Sequence, residues 1–283
     1  MLADMTEFRA TSADGTRITA LDDGRGPTLL LVHGGGERAT SWGGVTRTLT
    51  GDFRVVRMDR RIYVPGAVIE PTHSVAVEAA DILAVAGALD RPVLLVGHSS
   101  GAVAALEAAL LAPAAFAGLF LYEPPMPTRS LVGGRAARRA RAALAAGDPA
   151  EAVRIQLRDI VRMPADVVDA LAAAPGGHEL LAARAPAQLA DVEAVDRLGI
   201  GVARFGALDL PTTLLEGDRS PAHLRERVAD LAVVLPNARV LTLAGHGHVA
   251  HRTAPVELAQ AIREMAERVL VGRAHPHRAG LSS

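Results

Sequence analysis

The 283-residue chain contains no cysteine. Disulfides, thiolate nucleophiles and cysteine-ligated zinc are thereby excluded, and any metal site has to be built from histidine and carboxylate. Lysine is missing too, so all 30 basic residues are arginine, and mechanisms that need a lysine Schiff base or a phosphate-loop lysine are ruled out. These arginines and 31 acidic residues nearly cancel, leaving a net charge of −1 and no global field to draw in nucleic acid or an anionic membrane. The expected partner is a small molecule. No apolar run approaches the ~20 residues of a membrane span. The opening MLADMTEFRA lacks the basic and then apolar pattern of a secretory leader. The expectation is a soluble, cytoplasmic protein, whose lysine-free, aromatic-poor, Ala/Arg-rich composition reflects GC-rich coding sequence rather than function.

What is present is an alternation. FRAT and RITAL, separated by SADG, read as a hairpin because Asp14-Gly15 supplies the positive φ of such a turn. Short apolar runs follow at 28–34, 53–59, 92–98, 118–123, 212–218 and 238–245, as in strands buried on both faces. Helical patterns lie between most of them, at 74–90, 99–112, 222–232 and 255–271. Such alternation predicts an α/β fold with a mostly parallel central sheet and helices on both faces. Residues 126–208 hold several Ala/Arg/Leu helical patterns and no strand; one starts at Asp148-Pro149, a capping acid before a proline at the first helical position. The expected organisation is a core of 1–125 and 209–274, an inserted helical lid over 126–208 and a mobile polar tail at 275–283. The arginine run RAARRAR (135–141) reads as the solvated face of a lid helix.

Chemistry concentrates at Gly97-His98-Ser99-Ser100-Gly101, a GxSxG sequence with an apolar strand before it and a helical pattern after it. A sharp strand-to-helix turn forces the central serine into a strained conformation, and the flanking glycines let backbones approach. The hydroxyl then stands in the open at a helix N-terminus, where positive partial charge favours a developing oxyanion. The same glycines would also suit a tight packing turn; the strand and helix around them favour a reactive Ser99.

With these features, residues 28–271 resemble the α/β-hydrolase superfamily. The resemblance implies that His33-Gly34-Gly35-Gly36, after the first core strand, is the oxyanion loop, with the N–H groups of Gly35 and Ser100 as the donors. It implies that the base follows a glycine after the last strand, with a proline seven residues on, a register that His248 meets with Gly247 and Pro255. His246 and His251 miss it and read as loop residues or as residues that back the reacting groups. His246, His248 and His251 also have the HxHxxH spacing of some metal sites, but Ala250 stands where the related metal motif carries an acid, and the expectation is no metal and no cofactor. Two carboxylates compete to complete the triad. Asp218 follows the strand at 212–218 but falls two residues short of the family's usual position, where Ser220 stands; Glu123 heads the Glu-Pro that ends the run at 118–123, as in the pancreatic-lipase-like branch. Gly34, His98, Trp42 and Tyr63 are the candidates to line the substrate pocket: His98 packs beside the nucleophile, Trp42 is core or pocket wall, and Tyr63 lines the pocket or belongs to a rebuilt loop. Tyr63 lies where many relatives continue DRRGxGxS and this chain reads Asp59-Arg60-Arg61-Ile62-Tyr63.

The function so implied is a serine hydrolase cleaving a carboxylic ester, lactone or thioester of a small apolar substrate through an acyl-enzyme. Because one scaffold carries many chemistries, two alternatives accompany it: a non-hydrolytic or C–C-bond-cleaving enzyme of a degradative or secondary-metabolite pathway, and a ligand-binding receptor with an idle triad.

Overall fold

Leucine and valine runs too short for helices set the strands, and the computed structural model, which describes residues 6–90 and 92–272, gathers them into one eight-stranded sheet. The hairpin of β1 (Thr6–Thr11) and β2 (Arg17–Asp23) turns at Gly15, whose φ is 83°. It leads into β3 (Thr28–Val32), and helix α1 (Gly43–Leu49) then connects to β4 (Arg54–Met58). Helix α2 (Val75–Gly87), capped by the Ser74 hydroxyl, leads to β5 (Val93–His98), and α3 (Ser100–Leu111) to β6 (Phe116–Tyr122). Between β6 and β7 (Thr212–Gly217) the chain passes through α4 (Gly134–Ala145), α5 (Pro149–Ile155), α6 (Ala165–Ala173) and α7 (Gly177–Asp196). Helix α8 (Ala222–Val234), β8 (Ala238–Leu243), the short α9 (Ala250–Thr253) and α10 (Pro255–Ala266) complete the order.

The strands lie in the order β1-β2-β4-β3-β5-β6-β7-β8, antiparallel up to β4 and parallel from there to β8. Helices α2, α3 and α8 cover one face, where Ile82, Val103 and Leu231 pack on Leu30 and Leu95; α1 and α10 cover the other, where Leu49 and Ile262 meet Leu31 and Val96. β3, β5 and β6 are buried along their whole length, as continuous apolar runs require. β8 departs from that expectation. None of its residues is fully buried, because it is the last strand and has a partner on one side only.

The insertion has its own small core of Ala140, Val153, Ile155, Ala185 and Leu189, and Asp148 caps α5 by accepting the Glu151 N–H at 2.9 Å. The tail 275–283 lies outside the described residues, as do 273 and 274 of the expected core. Among the described residues no helix is long and apolar enough to cross a membrane.

Candidate active site

The C-terminal ends of β5, β6 and β8 bring the chemistry together. Ser99 sits between β5 and α3 at φ 51°, ψ −129°, a conformation an L-residue holds only when its surroundings impose it. Two close approaches impose it: a Cβ on Gly97 would stand 2.6 Å from Ala102 Cα, and one on Gly101 would stand 2.3 Å from the His33 carbonyl oxygen. The Ser99 N–H donates to the Tyr122 carbonyl at 2.9 Å, which ties the turn to β6.

Ser99 Oγ lies 3.1 Å from His248 Nε2, and His248 Nδ1 lies 2.5 Å from Glu123 Oε2. A carboxylate only accepts, so Nδ1 carries the hydrogen and Nε2 offers its lone pair to the serine hydroxyl. Glu123 is fully buried just past β6, itself at a positive φ of 45°, and its Oε1 accepts the Gly217 N–H at 2.8 Å. Burial pushes the Glu123 carboxyl up, but the His248 bond and charge and the Gly217 N–H outweigh it and hold the group below the ordinary carboxylate range. Asp218, the other candidate acid, is exposed and accepts the Gly245 N–H at 2.8 Å, closing the turn after β8 instead of meeting His248. Ser220, at the family's usual acid position, is buried and carries no charge.

Three bonds fix the loop that presents His248. The Tyr122 hydroxyl donates to the Gly247 carbonyl and accepts the Ala250 N–H at 3.1 Å, and His98 Nε2 donates to the His248 carbonyl at 2.9 Å. The His98 ring also packs 4.7 Å from that of His248. Burial pushes His98 down to about 4, so the ring is neutral near pH 7.

On the other side of Ser99 lie the glycines. A Cβ on Gly34 would come 3.1 Å from Ser99 Cβ, and one on Gly35 would come 3.5 Å from Ser100 Oγ, so the loop runs close against the serine corner. Ser100 opens α3, where the first N–H groups have no acceptor within the helix. His33 steadies the loop: Nδ1 donates to the Gly34 carbonyl at 2.8 Å and Nε2 accepts the Arg60 N–H at 3.0 Å.

A buried ionic network backs this wall. Arg60, 2% exposed, donates Nε to Glu78 at 2.5 Å, Nη2 to Asp191 Oδ1 at 2.6 Å and Nη1 to Ser100 Oγ at 2.8 Å. Asp191 Oδ2 also accepts the hydroxyls of Ser100 at 2.7 Å and Tyr63 at 2.6 Å. Asp191 belongs to α7, so the insertion is ionically joined to the residue after Ser99. Burial raises the Asp191 carboxyl, yet the Arg60 charge and hydrogen bonds prevail and hold it low; Glu78, deeper, is pushed up to about 7 by burial.

Ser99, Ser100, Gly35, His98 and His248 open on a cavity of about 200 Å³ whose far wall is Leu157, Ile160, Val161, Val192 and Val195 of the insertion. Of the four candidates to line the pocket, only His98 does so. Gly34 lies under the serine, Tyr63 stands behind Asp191, and Trp42 is fully buried in the core, its ring 5.6 Å from that of His251. Wall positions fell instead to apolar residues of the insertion. The three histidines after β8 do not converge: His248 faces Ser99 and Glu123, whereas His251 Nε2 meets Glu37 Oε1 at 2.8 Å. Glu37, Arg60, Tyr122 and Asp191 were missed in the sequence. The one signal for Asp191 was an acid on the helix stripe shared with Val192 and Val195.

Residues 29–261 match the alpha/beta hydrolase family. A pimeloyl-[acyl-carrier protein] methyl ester esterase of Methylococcus capsulatus is 40% identical over 116 residues, covering 37% of this chain and 42% of that protein. Human protein phosphatase methylesterase 1 is 34% identical over 91 residues, 30% of this chain and 24% of that protein. The match therefore spans less than half of either curated relative. An alpha/beta hydrolase from Sphaerobacter thermophilus superposes with a TM-score of 0.77 at 29% identity, covering 91% of this chain and 99% of the other. An esterase from Thermogutta terrifontis superposes at 0.72 with 22% identity, covering 93% and 99%, a likeness of fold alone.

Proposed function

Since the chain belongs to the alpha/beta hydrolase family, we propose that it is a serine hydrolase that cleaves a carboxylic ester, lactone or thioester of a small apolar substrate through an acyl-enzyme. The observation that carries this reading is the unbroken line from Ser99 Oγ through the His248 ring to Glu123, with contacts of 3.1 and 2.5 Å. The names of the two curated relatives, both methyl ester esterases, support the bond type.

In this mechanism His248 Nε2 takes the Ser99 proton as Oγ attacks the acyl carbonyl, and Glu123 holds Nδ1–H and stabilises the imidazolium. The oxyanion rests on the N–H groups of Gly35 and Ser100, at the positive end of α3. Collapse of the tetrahedral adduct breaks the acyl–oxygen or acyl–sulfur bond, and His248 returns the proton to the leaving group. Water, deprotonated by the same imidazole, then releases the acid and restores Ser99. The insertion serves as a cap that supplies the apolar wall. A cavity of about 200 Å³ falls below the ~300–1,000 Å³ of pockets that enclose drug-sized ligands, which supports a short acyl or alcohol portion.

The test is labelling and turnover together. A fluorophosphonate should mark Ser99 in wild-type protein, and short-chain p-nitrophenyl esters should be hydrolysed, with Ser99→Ala slower by on the order of 10⁶. Near-normal turnover in that variant would falsify the covalent route; tight ligand binding with no labelling would favour an idle triad.

A further inference from the structure

Next to the triad, and unused by it, Glu37, His98 and His251 converge. Glu37 follows the glycine loop, His98 ends β5 and His251 lies in α9. One potential ligand atom from each lies within 4.8 Å of the other two, and the two histidines are 3% and 1% exposed. Hydrogen bonding fixes where the His98 proton sits. Its Nε2 faces the His248 carbonyl at 2.9 Å, and a carbonyl only accepts, so Nε2 carries the hydrogen of the neutral ring and Nδ1 is a bare lone pair. That lone pair is buried, has no hydrogen-bond partner and faces Glu37 Oε2 at 3.7 Å. Oε2 itself takes only a long 3.4 Å bond from Ser41. Two acceptors facing each other cost free energy unless a cation comes between them.

We propose that Glu37, His98 and His251 bind one divalent transition-metal ion of the zinc type, through the carboxylate, Nδ1 of His98 and Nε2 of His251. Donors held about 2.0–2.2 Å from one zinc stand roughly 3–4 Å apart. The Glu37–His98 separation of 3.7 Å already suits that spacing, the Glu37–His251 hydrogen bond of 2.8 Å has to lengthen by a few tenths of an ångström as the metal replaces its hydrogen, and all three ligand atoms lie within 4.8 Å of one another. Two imidazoles and one carboxylate form a set that zinc accepts with a coordination position left open, and Glu37 and His98 both line the cavity from which water could fill it. Magnesium and calcium, which prefer six or more oxygens, do not suit it. Arg252 now offsets the Glu37 charge through Oε1 at 2.9 Å, but its side chain is 55% exposed and free to turn to solvent. On binding, the His251 hydrogen moves from Nε2 to Nδ1, which is buried and has no hydrogen-bond partner now, so the exchange releases no net proton. A ligating histidine commonly donates its other N–H to a backbone carbonyl, which fixes the ring. Here that carbonyl belongs to His248, so occupancy is communicated to the loop of the catalytic base.

The experiment is a titration of the metal-free, full-length protein with Co²⁺. The expected result is an intense visible spectrum of low coordination number that saturates at one equivalent and is displaced by Zn²⁺. Glu37→Gln should weaken binding by more than about a hundredfold, and His251→Asn should do the same. Because a His251 variant risks the fold, a second measurement uses wild-type protein: Zn²⁺ should move the ¹⁵N resonances of His98 Nδ1 and His251 Nε2 and leave those of His73 in place. No saturable spectrum, a spectrum retained in Glu37→Gln, or shifts centred on His246 and His248 would each overturn the site. The readout is metal binding and not turnover, so a protein inert toward esters would leave this proposal standing.

Discussion

The ends of β6 and β7 each carry a carboxylate, and the two have opposite fates. Glu123 is fully buried, held at a positive φ, and spends both oxygens on His248 and the Gly217 N–H. Asp218 is exposed and spends its oxygen on a turn. The residue three beyond Gly217 is the buried but uncharged Ser220, so the strand end the family usually employs gives Glu123 an N–H and brings no charge to His248. In the proposed triad, the imidazole dictates where a negative charge is needed, and the chain can supply it from either strand. Exchanging the acid for its amide gives the largest expected effect after loss of the nucleophile. Glu123→Gln keeps the shape but favours the wrong His248 tautomer, and kcat should fall by about 10⁴ while KM changes little. Steady-state kinetics on a short ester decide it.

The contrast extends to the insertion. There Asp191 satisfies a buried cation, Arg60, and four donors leave its oxygens no capacity for substrate. Asp191→Ala strands Arg60 with Glu78 alone, and unfolding in urea should report a loss of about 3–5 kcal/mol. A loss under ~1 kcal/mol would mean that the network is wetter than its geometry implies.

The proposed elbow, glycine loop and base have local signals in the sequence. A serine between two glycines at a strand–helix junction has few other uses, and Gly247, His248 and Pro255 keep a fixed spacing along the chain. The acid was legible only as a choice between Glu123 and Asp218, since both follow apolar runs and only the fold decides which reaches the ring. Asp191 and Glu37 were not legible at all. Asp191 reaches Arg60 across 131 positions and Glu37 reaches His251 across 214, and nothing local marks such pairs. Trp42 was legible only as core or pocket wall, because a large aromatic after the glycine loop fits both equally well; the packing of His251 and α1 draws it inward.

Tyr122 sharpens the comparison within β6, because it stands one residue before the acid and holds the loop that Glu123 serves. Tyr122→Phe removes a hydroxyl that bonds Gly247 and Ala250 and leaves the ring packed against His98. The two backbone groups lose a buried partner, at a cost of about 1–3 kcal/mol in stability. If the loop loosens as a unit, kcat falls by about tenfold or less while fluorophosphonate still labels Ser99. Unchanged stability and kcat would assign the hold on His248 to His98 alone.

The smallest expected effect is also the most direct way to break the comparison. Asp218→Asn removes the charge at the β7 end but keeps the oxygen that accepts the Gly245 N–H, so the turn survives. The residue is exposed and touches no group of the triad, so stability should move by no more than about 0.5 kcal/mol, and kcat by no more than about twofold. A fall of ~10⁴ in this variant, with Glu123→Gln active, would move the acid from β6 to β7 and require the His248 loop to swing during turnover. Equal, partial losses in both variants would mean that the two carboxylates share the ring.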